Sequence, residues 1–339
     1  MLLATTLAAV ATSAVLRWSA NGGQPASDPA AFAIPTCPPT TLTLTGPQSE
    51  ALERDNDRGT WDLSGAVWVG ETYPIRSERW TRGCVRGGEV DGGIPRALTR
   101  DEWYDGDSGA ADGEGFTITV GGARSPWLYV EGLYVHDTED AYDPNATSSE
   151  ASTYLERVHA EYIRDDCIEN EQGVHSVYVN DSFFDGCFTA FAERPPGSES
   201  TSEGTADVSF VVENSLVHVQ PQPLGDNYCD EDSIDRGRCV EDGSGWLGSY
   251  GIWKWSDQAA AHVEIRNSIF RLDLPSYSSC LAQEWPPGVF RNVTVVWTGP
   301  GDYATAGGCR NKLPRGVRLT TDLSIWNAAV AAWSARNAD

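Results

Sequence analysis

The sequence predicts an all-β solenoid, a stack of short parallel strands wound into coils, and three observations predict it. An apolar–x–Asp–x–Cys–apolar phrase occurs twice. In YIRDDCIENE (162–171) and SFFDGCFTAF (182–191), Asp165 aligns with Asp185 and Cys167 with Cys187, each pair 20 residues apart, a spacing that suits one solenoid coil. Short β-rich runs end in polar pairs such as Asn214-Ser215 and Asn267-Ser268, residues that favour tight corners. No helical period competes with this pattern until the end of the chain.

Residues 2–16 (LLATTLAAVATSAVL) are small and apolar, then turn polar at Arg17. This reads residues 1–18 as a signal-peptide-like segment, although no charged residue precedes the apolar stretch. The segment is short for a membrane span. Residues 19–39 are rich in Ser, Gly and Pro and read as a linker, residues 40–320 as the solenoid, and 321–339 as a C-terminal cap. In the cap, Asp322 or Ser324 can begin a short helix carrying Ile325, Trp326, Val330 and Trp333. An open solenoid end exposes backbone edges and core, so such cover is expected.

Further segments align on the same phrase. LYVHDTED (133–140) sets Val135 with Ile163 and Asp137 with Asp165, and VENSLVHV (212–219) sets Leu216 with Phe183 and His218 with Asp185. IRNSIFRLD (265–273) adds Ile269 and Arg271, and RNVTVVWTG (291–299) adds Val295 and Trp297. Two columns are thereby expected. Val135, Ile163, Phe183, Leu216, Ile269 and Val295 form an inward apolar column, and Asp137, Asp165, Asp185, His218 and Arg271 a polar one. The insertions 194–205 and 220–250 would loop out beside the polar column, either walling a groove or decorating the surface.

The chain has 49 acidic against 24 basic residues, a net charge of −25, which excludes nucleic acid as a natural partner. Eight cysteines, an even number, agree with export and disulfides. Cys167 and Cys187, expected at equivalent places one strand spacing (about 4.8 Å) apart, are within disulfide reach; two buried thiols are the alternative. Cys229–Cys239 would staple the long insertion, and Cys37–Cys84 and Cys280–Cys309 complete the set. No closely spaced Cys/His group suggests a zinc site.

Carboxylates stacked about 4.8 Å apart repel, so one must be neutralised. Ca²⁺ bridging Asp137, Asp165, Asp166 and Asp185 is one solution. A protonated aspartate acting as general acid beside an ionised one is another. A third reading makes the acids corner ladders bonded to backbone. Lys254 lies between Trp253 and Trp255 in GIWKWSD (251–257), a charge among aromatics that suits sugar binding.

The run YIRDDCIEN…DSFFDGC…FAERP, GIWKWSD followed by HVEIRNSIFRLD, and VRLTTDLSIWNAAVAAW together resemble an uncharacterised group of secreted bacterial proteins. That group has the right-handed parallel β-helix, the pectate-lyase-like fold, and the resemblance covers roughly residues 84–333. It implies the fold and two polysaccharide chemistries. Pectate-lyase-like enzymes use Ca²⁺ held by acids to acidify a proton beside a uronate carboxylate, which an Arg or Lys removes. Arg164, Arg194, Arg271 and Lys254 are the candidates here. Polygalacturonase-like enzymes use grouped aspartates, including a pair to which Asp165-Asp166 is similar, but this chain lacks their Gly-His-Gly and Arg-Ile-Lys phrases.

The expectation is a secreted, monomeric β-helix protein that binds or cleaves a polysaccharide, with a Ca²⁺-assisted lyase ahead of an inverting hydrolase. A non-catalytic carbohydrate-binding or surface protein is the alternative. Catalytic candidates are Asp165, Asp166, Asp185, Arg194, Lys254 and Arg271; His218, Trp253 and Trp255 would contact substrate. No membrane contact is expected beyond the signal segment.

Overall fold

The computed structural model describes residues 34–54, 58–70, 73–104, 113–171, 175–193, 208–243, 245–255, 262–278, 280 and 285–337. Strands run from Thr40–Thr43 to Val317–Thr320 and stack in parallel into a β-helix with three faces. The first sheet includes Trp127–Glu131, Ser152–Glu156, Ser176–Asn180, Ser209–Glu213 and His262–Arg266. Tyr134–His136, Leu216–Val219, Ile269–Leu272 and Val293–Trp297 belong to the second. Ile75–Trp80, Phe116–Val120, Tyr142–Asp143 and Gly251–Trp255 build a third face. Two 11-residue strands, His159–Glu169 and Phe183–Glu193, serve the second sheet with their first halves and the third face with their second.

Side chains alternate in and out along each strand, so the core is built of columns. Val90, Val135, Ala160, Phe184, Val217, Phe270 and Val295 are successive register partners in the second sheet, and all are buried. Phe116, Tyr142, Ile168, Phe191 and Trp253 form the corresponding column behind the third face.

This register corrects the one read from the sequence. Asp185 pairs with Glu161, and Glu161 with His136, so Asp137, Asp165 and Asp185 share no column. The expected inward column divides as well. Val135 and Val295 point inward, Ile163 pairs with Cys187, and Phe183, Leu216 and Ile269 alternate to the outer side. Arg271 is followed by Val296 rather than Trp297. The cause is an irregularity in the strand His159–Glu169, where the register shifts between Ile163 and Asp166. A phrase repeated in sequence is therefore not repeated in space. His218 does pair with Asp185, and Arg271 with His218.

The outward apolar residues explain the C-terminal helix, Leu323–Arg336. Trp326 and Trp333 bury themselves against Phe183, Leu216 and Val296 on the outer side of the second sheet. The helix thus covers a flank, where the sequence reading had it covering a solenoid end. Asp322 caps it by accepting from the Ser324 amide at 3.0 Å. Trp333 Nε1 donates to the Asp181 carbonyl at 2.8 Å, and Arg336 pairs with the Asp181 carboxylate.

The corners after the first sheet use the polar pairs directly. Asp181, Asn214, Asn267 and Asn292 take left-handed φ of 44–54°, which Asn and Asp tolerate better than most residues. The buried hydroxyls of Ser182, Ser215 and Ser268 each donate to the carbonyl two residues earlier and accept an amide N–H from the neighbouring coil. Four disulfides, Cys37–Cys84, Cys167–Cys187, Cys229–Cys239 and Cys280–Cys309, staple the coils and the insertion. Cys167 and Cys187 are not register partners, yet the shifted strand brings their Cα atoms to 5.6 Å. No helix among the described residues is long and apolar enough to cross a membrane.

Candidate functional site on the third face

The shifted strand creates the candidate site. Arg164 and Asp165 fall between registered positions, and their amides bond to the carbonyls of Thr138 and Glu139 in the preceding coil. The Asp166 amide donates to Asp140 Oδ1 at 2.8 Å. Asp165 and Asp166 are thereby fixed side by side. Lys254 reaches them from the strand Gly251–Trp255, two strands away, where alternation sends Trp253 inward and Lys254 outward. The intervening strand carries Thr189 and Ala192 in the relevant columns, and these small side chains leave room for the lysine stem.

Lys254 Nζ donates to Asp165 Oδ1 at 2.6 Å and to Asp166 Oδ2 at 2.8 Å. Arg100 closes the other side. Its Nη2 donates to Asp165 Oδ2 at 2.8 Å and its Nη1 to the Arg164 carbonyl at 3.1 Å. Aromatic rings of Trp103, Tyr104, Phe188 and Tyr228 surround that guanidinium. Side-chain exposure is 11% for Lys254, 13% for Asp165 and 2% for Asp166, so the charges act in a poorly solvated setting.

That setting separates the protonation states. Burial disfavours the charge on Asp165, but Lys254 and Arg100 outweigh it and hold this carboxyl below the usual range. Burial pushes Asp166 up to about 7. Glu169, further along the strand, is pushed up to about 8 by burial and then by Asp166. Burial also raises Asp140 well above the ordinary carboxylate range. Lys254 stays an ammonium, because Asp166 and Asp165 outweigh its own burial. Asp166 Oδ1 has no hydrogen-bond partner among the described residues. A carboxylate held ionised beside carboxyls held protonated near neutrality is the electrostatic arrangement of an acid–base pair.

The cluster stands at one end of a groove. Arg76, Thr117 and Asp143 are outward register partners on successive third-face strands. With Tyr73, Glu114 and Asn145 they line a cavity of about 500 Å³. Carboxyl oxygens of Glu114, Asp143 and Glu169 lie within 4.8 Å of one another, as do those of Asp166, Glu169 and Glu171. Glu169 therefore links the groove to the lysine cluster. Asp143 is pushed up to about 9 by burial and by Glu114.

Of the residues singled out in the sequence, Asp165, Asp166 and Lys254 meet here. Asp137 does not; it sits at the corner before the third face, paired with Arg96 at 2.9 Å and His136 at 2.9 Å. Asp185 is bound to His218 Nδ1 at 2.7 Å, while His218 Nε2 meets Asp273 at 3.0 Å and Arg271 forks onto Asp273. This second charged group lies on the outer side of the second sheet, where Trp326 approaches His218. The four aspartates expected to hold Ca²⁺ thus do not converge, and each already has a cationic or imidazole partner; they do not fit that ion. Trp253 is 1% exposed and packs against Phe191 and Phe210 in the core, which corrects its expected contact with substrate. Arg164 is buried, donating to the Leu98 carbonyl and Tyr162 Oη. Arg194 and the side chain of Trp255 lie outside the described residues.

Sequence reasoning missed Arg100, Asp140, Glu114 and Asp143 as neighbours of the site and left Glu169 as an acid without a role. Arg100 comes from a short helix, Arg100–Tyr104, inserted outside the repeat, so no periodic signal marks it. Asp143 and Glu169 were reachable in principle, since each follows an inward aromatic or aliphatic residue in its coil. A comparison with protein families, curated proteins and solved structures yields no match for this chain.

Proposed function

We propose that the protein is exported and binds a polysaccharide along the third face, hydrolysing it by carboxyl acid–base chemistry. The observation that carries this reading is the Asp165–Lys254–Asp166 clamp with Glu169 adjoining it at the end of a groove. Four disulfides support an oxidising compartment. Glu169, protonated near neutrality, is the donor to the glycosidic oxygen. Asp166, its neighbour, is the carboxylate that meets the anomeric carbon as the bond to the leaving sugar breaks. Their carboxyl oxygens lie within 4.8 Å, nearer the ~5–5.5 Å of retaining pairs than the ~6.5–9.5 Å of inverting ones. A water then completes hydrolysis with retained configuration.

The lyase reading is less well supported. Lys254 is fixed as an ammonium between two acids, Arg100 is engaged with Asp165, and Arg164 points to a backbone carbonyl and a phenol. None of these is poised to remove a proton. The wealth of carboxyls on this face also opposes a polyuronate chain there. A pure binding protein is the second reading, favoured by the depth at which Asp166 is buried.

The test is reducing-end release from a panel of neutral and mixed polysaccharides, read alongside the ultraviolet absorbance of any unsaturated product. Hydrolysis without that absorbance is expected, and Glu169→Gln should lower turnover about 10²–10⁴-fold while binding persists. Binding without release by the wild type selects the binding reading. An unsaturated product overturns the hydrolase.

A further inference from the structure

A second cavity, of about 800 Å³, opens where the chain passes from the third face into the first sheet. Its walls include Arg58, Arg82, Arg124 and Trp127 and no carboxylate. Arg58 and Arg82 are register partners, and Trp127 pairs with Arg82 on the next strand. Two guanidiniums and an indole therefore stand in one column at about 4.8 Å spacing. Like charges stacked this way repel.

The contrast with the rest of the molecule is informative. The chain carries about two acids for each base, and other arginines on the same sheet are matched. Arg86 and Arg157 both meet Glu131, and Arg266 meets Glu264. Arg82 instead donates to the Arg124 carbonyl at 2.8 Å, which steadies the loop carrying Arg124. No carboxylate among the described residues pairs with Arg82 or Arg124. The facing wall, at Thr36, Pro38 and Pro39, is tied down by the Cys37–Cys84 disulfide and by Thr60 Oγ1 donating to the Pro38 carbonyl at 2.6 Å. This is a fixed, cationic cavity with an aromatic floor on an anionic protein.

We propose that this cavity binds an acidic sugar residue, its oxyanion held by Arg82 and Arg124 and its ring laid on Trp127. Guanidinium forks match carboxylate and sulfate oxygens, and an indole face accepts the apolar face of a pyranose. The site takes the acidic residues of a polysaccharide, which the carboxyl-rich third face repels. It is a binding site separate from the hydrolytic carboxyls, and it stands or falls independently of them.

Calorimetric titration of the full chain tests it with three probes: a galacturonate trisaccharide, a sulfated disaccharide and a neutral cello-trisaccharide. At least one anionic probe should bind, about tenfold or more tighter than the neutral one, and high salt should weaken it. Which anion binds tells carboxylate from sulfate recognition. The double variant Arg82→Gln/Arg124→Gln and the variant Trp127→Ala should each lose about tenfold or more, with unchanged unfolding midpoints because both arginines are exposed. Glu169→Gln should bind as the wild type does, so failure of hydrolysis and failure of this site give different results. Silence from both anions, equal binding of the neutral probe, or wild-type affinity in the variants overturns the assignment.

Discussion

Replacing Lys254 by methionine keeps the stem and removes the ammonium that Asp165 and Asp166 share. All three side chains are nearly buried, and breaking such a set by deleting one partner costs about 3–5 kcal/mol. Arg100 still serves Asp165 Oδ2, so the charge left uncompensated is that of Asp166. Asp166 can escape by protonating. Its carboxyl already stands at about 7 because of burial, and without Lys254 it must rise further, each unit being about 1.4 kcal/mol. A carboxyl whose folded pKa exceeds its unfolded value, about 3.9, makes folding progressively less favourable as pH rises between the two. At about pH 5 Asp166 is protonated in both proteins, and Lys254→Met should cost about 2 kcal/mol. Above about pH 8 the loss should grow to about 4 kcal/mol. Guanidinium unfolding with disulfides intact, followed by tryptophan fluorescence, measures both. Adding Asp166→Asn should recover the pH-dependent part and leave the rest. An equal loss at the two pH values, or a double variant weaker than the single one at high pH, would refute the coupling of Lys254 to Asp166.

Three other outcomes follow from the same geometry. Burial disfavours the charged form of His218, but Asp185 and Asp273 outweigh it and raise its pKa; an NMR titration should place the imidazole above about 6.5, and Asp273→Asn should bring it down. The stabilisation from that imidazolium is present below about pH 6.5 and lost as pH climbs through the folded value. The double substitution of Cys167 and Cys187 by alanine opens a crosslink spanning 20 residues and should cost about 3 kcal/mol in the same unfolding assay. Trp333→Ala should cost about 3–5 kcal/mol, and uncovering Phe183 and Leu216 should raise binding of an apolar fluorescent dye.

The coil architecture was legible because solenoid corners are local. Left-handed Asn214 and Asn267, each followed by a buried serine, write the turn into adjacent residues. Alternation of apolar residues then places the rest of each coil. The disulfide partners followed from the same economy, since few cysteines are available and each pair lies in neighbouring segments. Register was not legible at the repeated Asp–x–Cys phrase. A repeat read along the chain assumes equal residues per coil, and the strand His159–Glu169 departs from that between Ile163 and Asp166. Nor could the outer side of the second sheet be told from its inner side. Phe183, Leu216 and Ile269 are apolar because a helix more than 100 residues later in the chain covers the first two, and period-two alternation alone does not say which side faces the core.

The same departure from regular pairing is where the charges gather, as expected if local rules give way at functional positions. Stability alone is a poor reason for the cluster. A buried Asp–Asp–Lys set gains little over apolar side chains of equal volume, and often loses. Ala192, in the same outward column as Glu169 and Lys254, shows that the strand stacks there without a charge. The corner ladder offers the bland alternative for an acid in a solenoid, yet neither Asp165 nor Asp166 bonds a corner amide through its side chain; both carboxylates accept from Lys254. Asp140 does accept an amide, and that amide belongs to Asp166 itself. The backbone, the third-face lysine and the inserted Arg100 therefore converge on two carboxyls with different protonation states at the end of a groove. A charge set that costs stability and is held this tightly is better accounted for by chemistry at the groove than by packing of the coil.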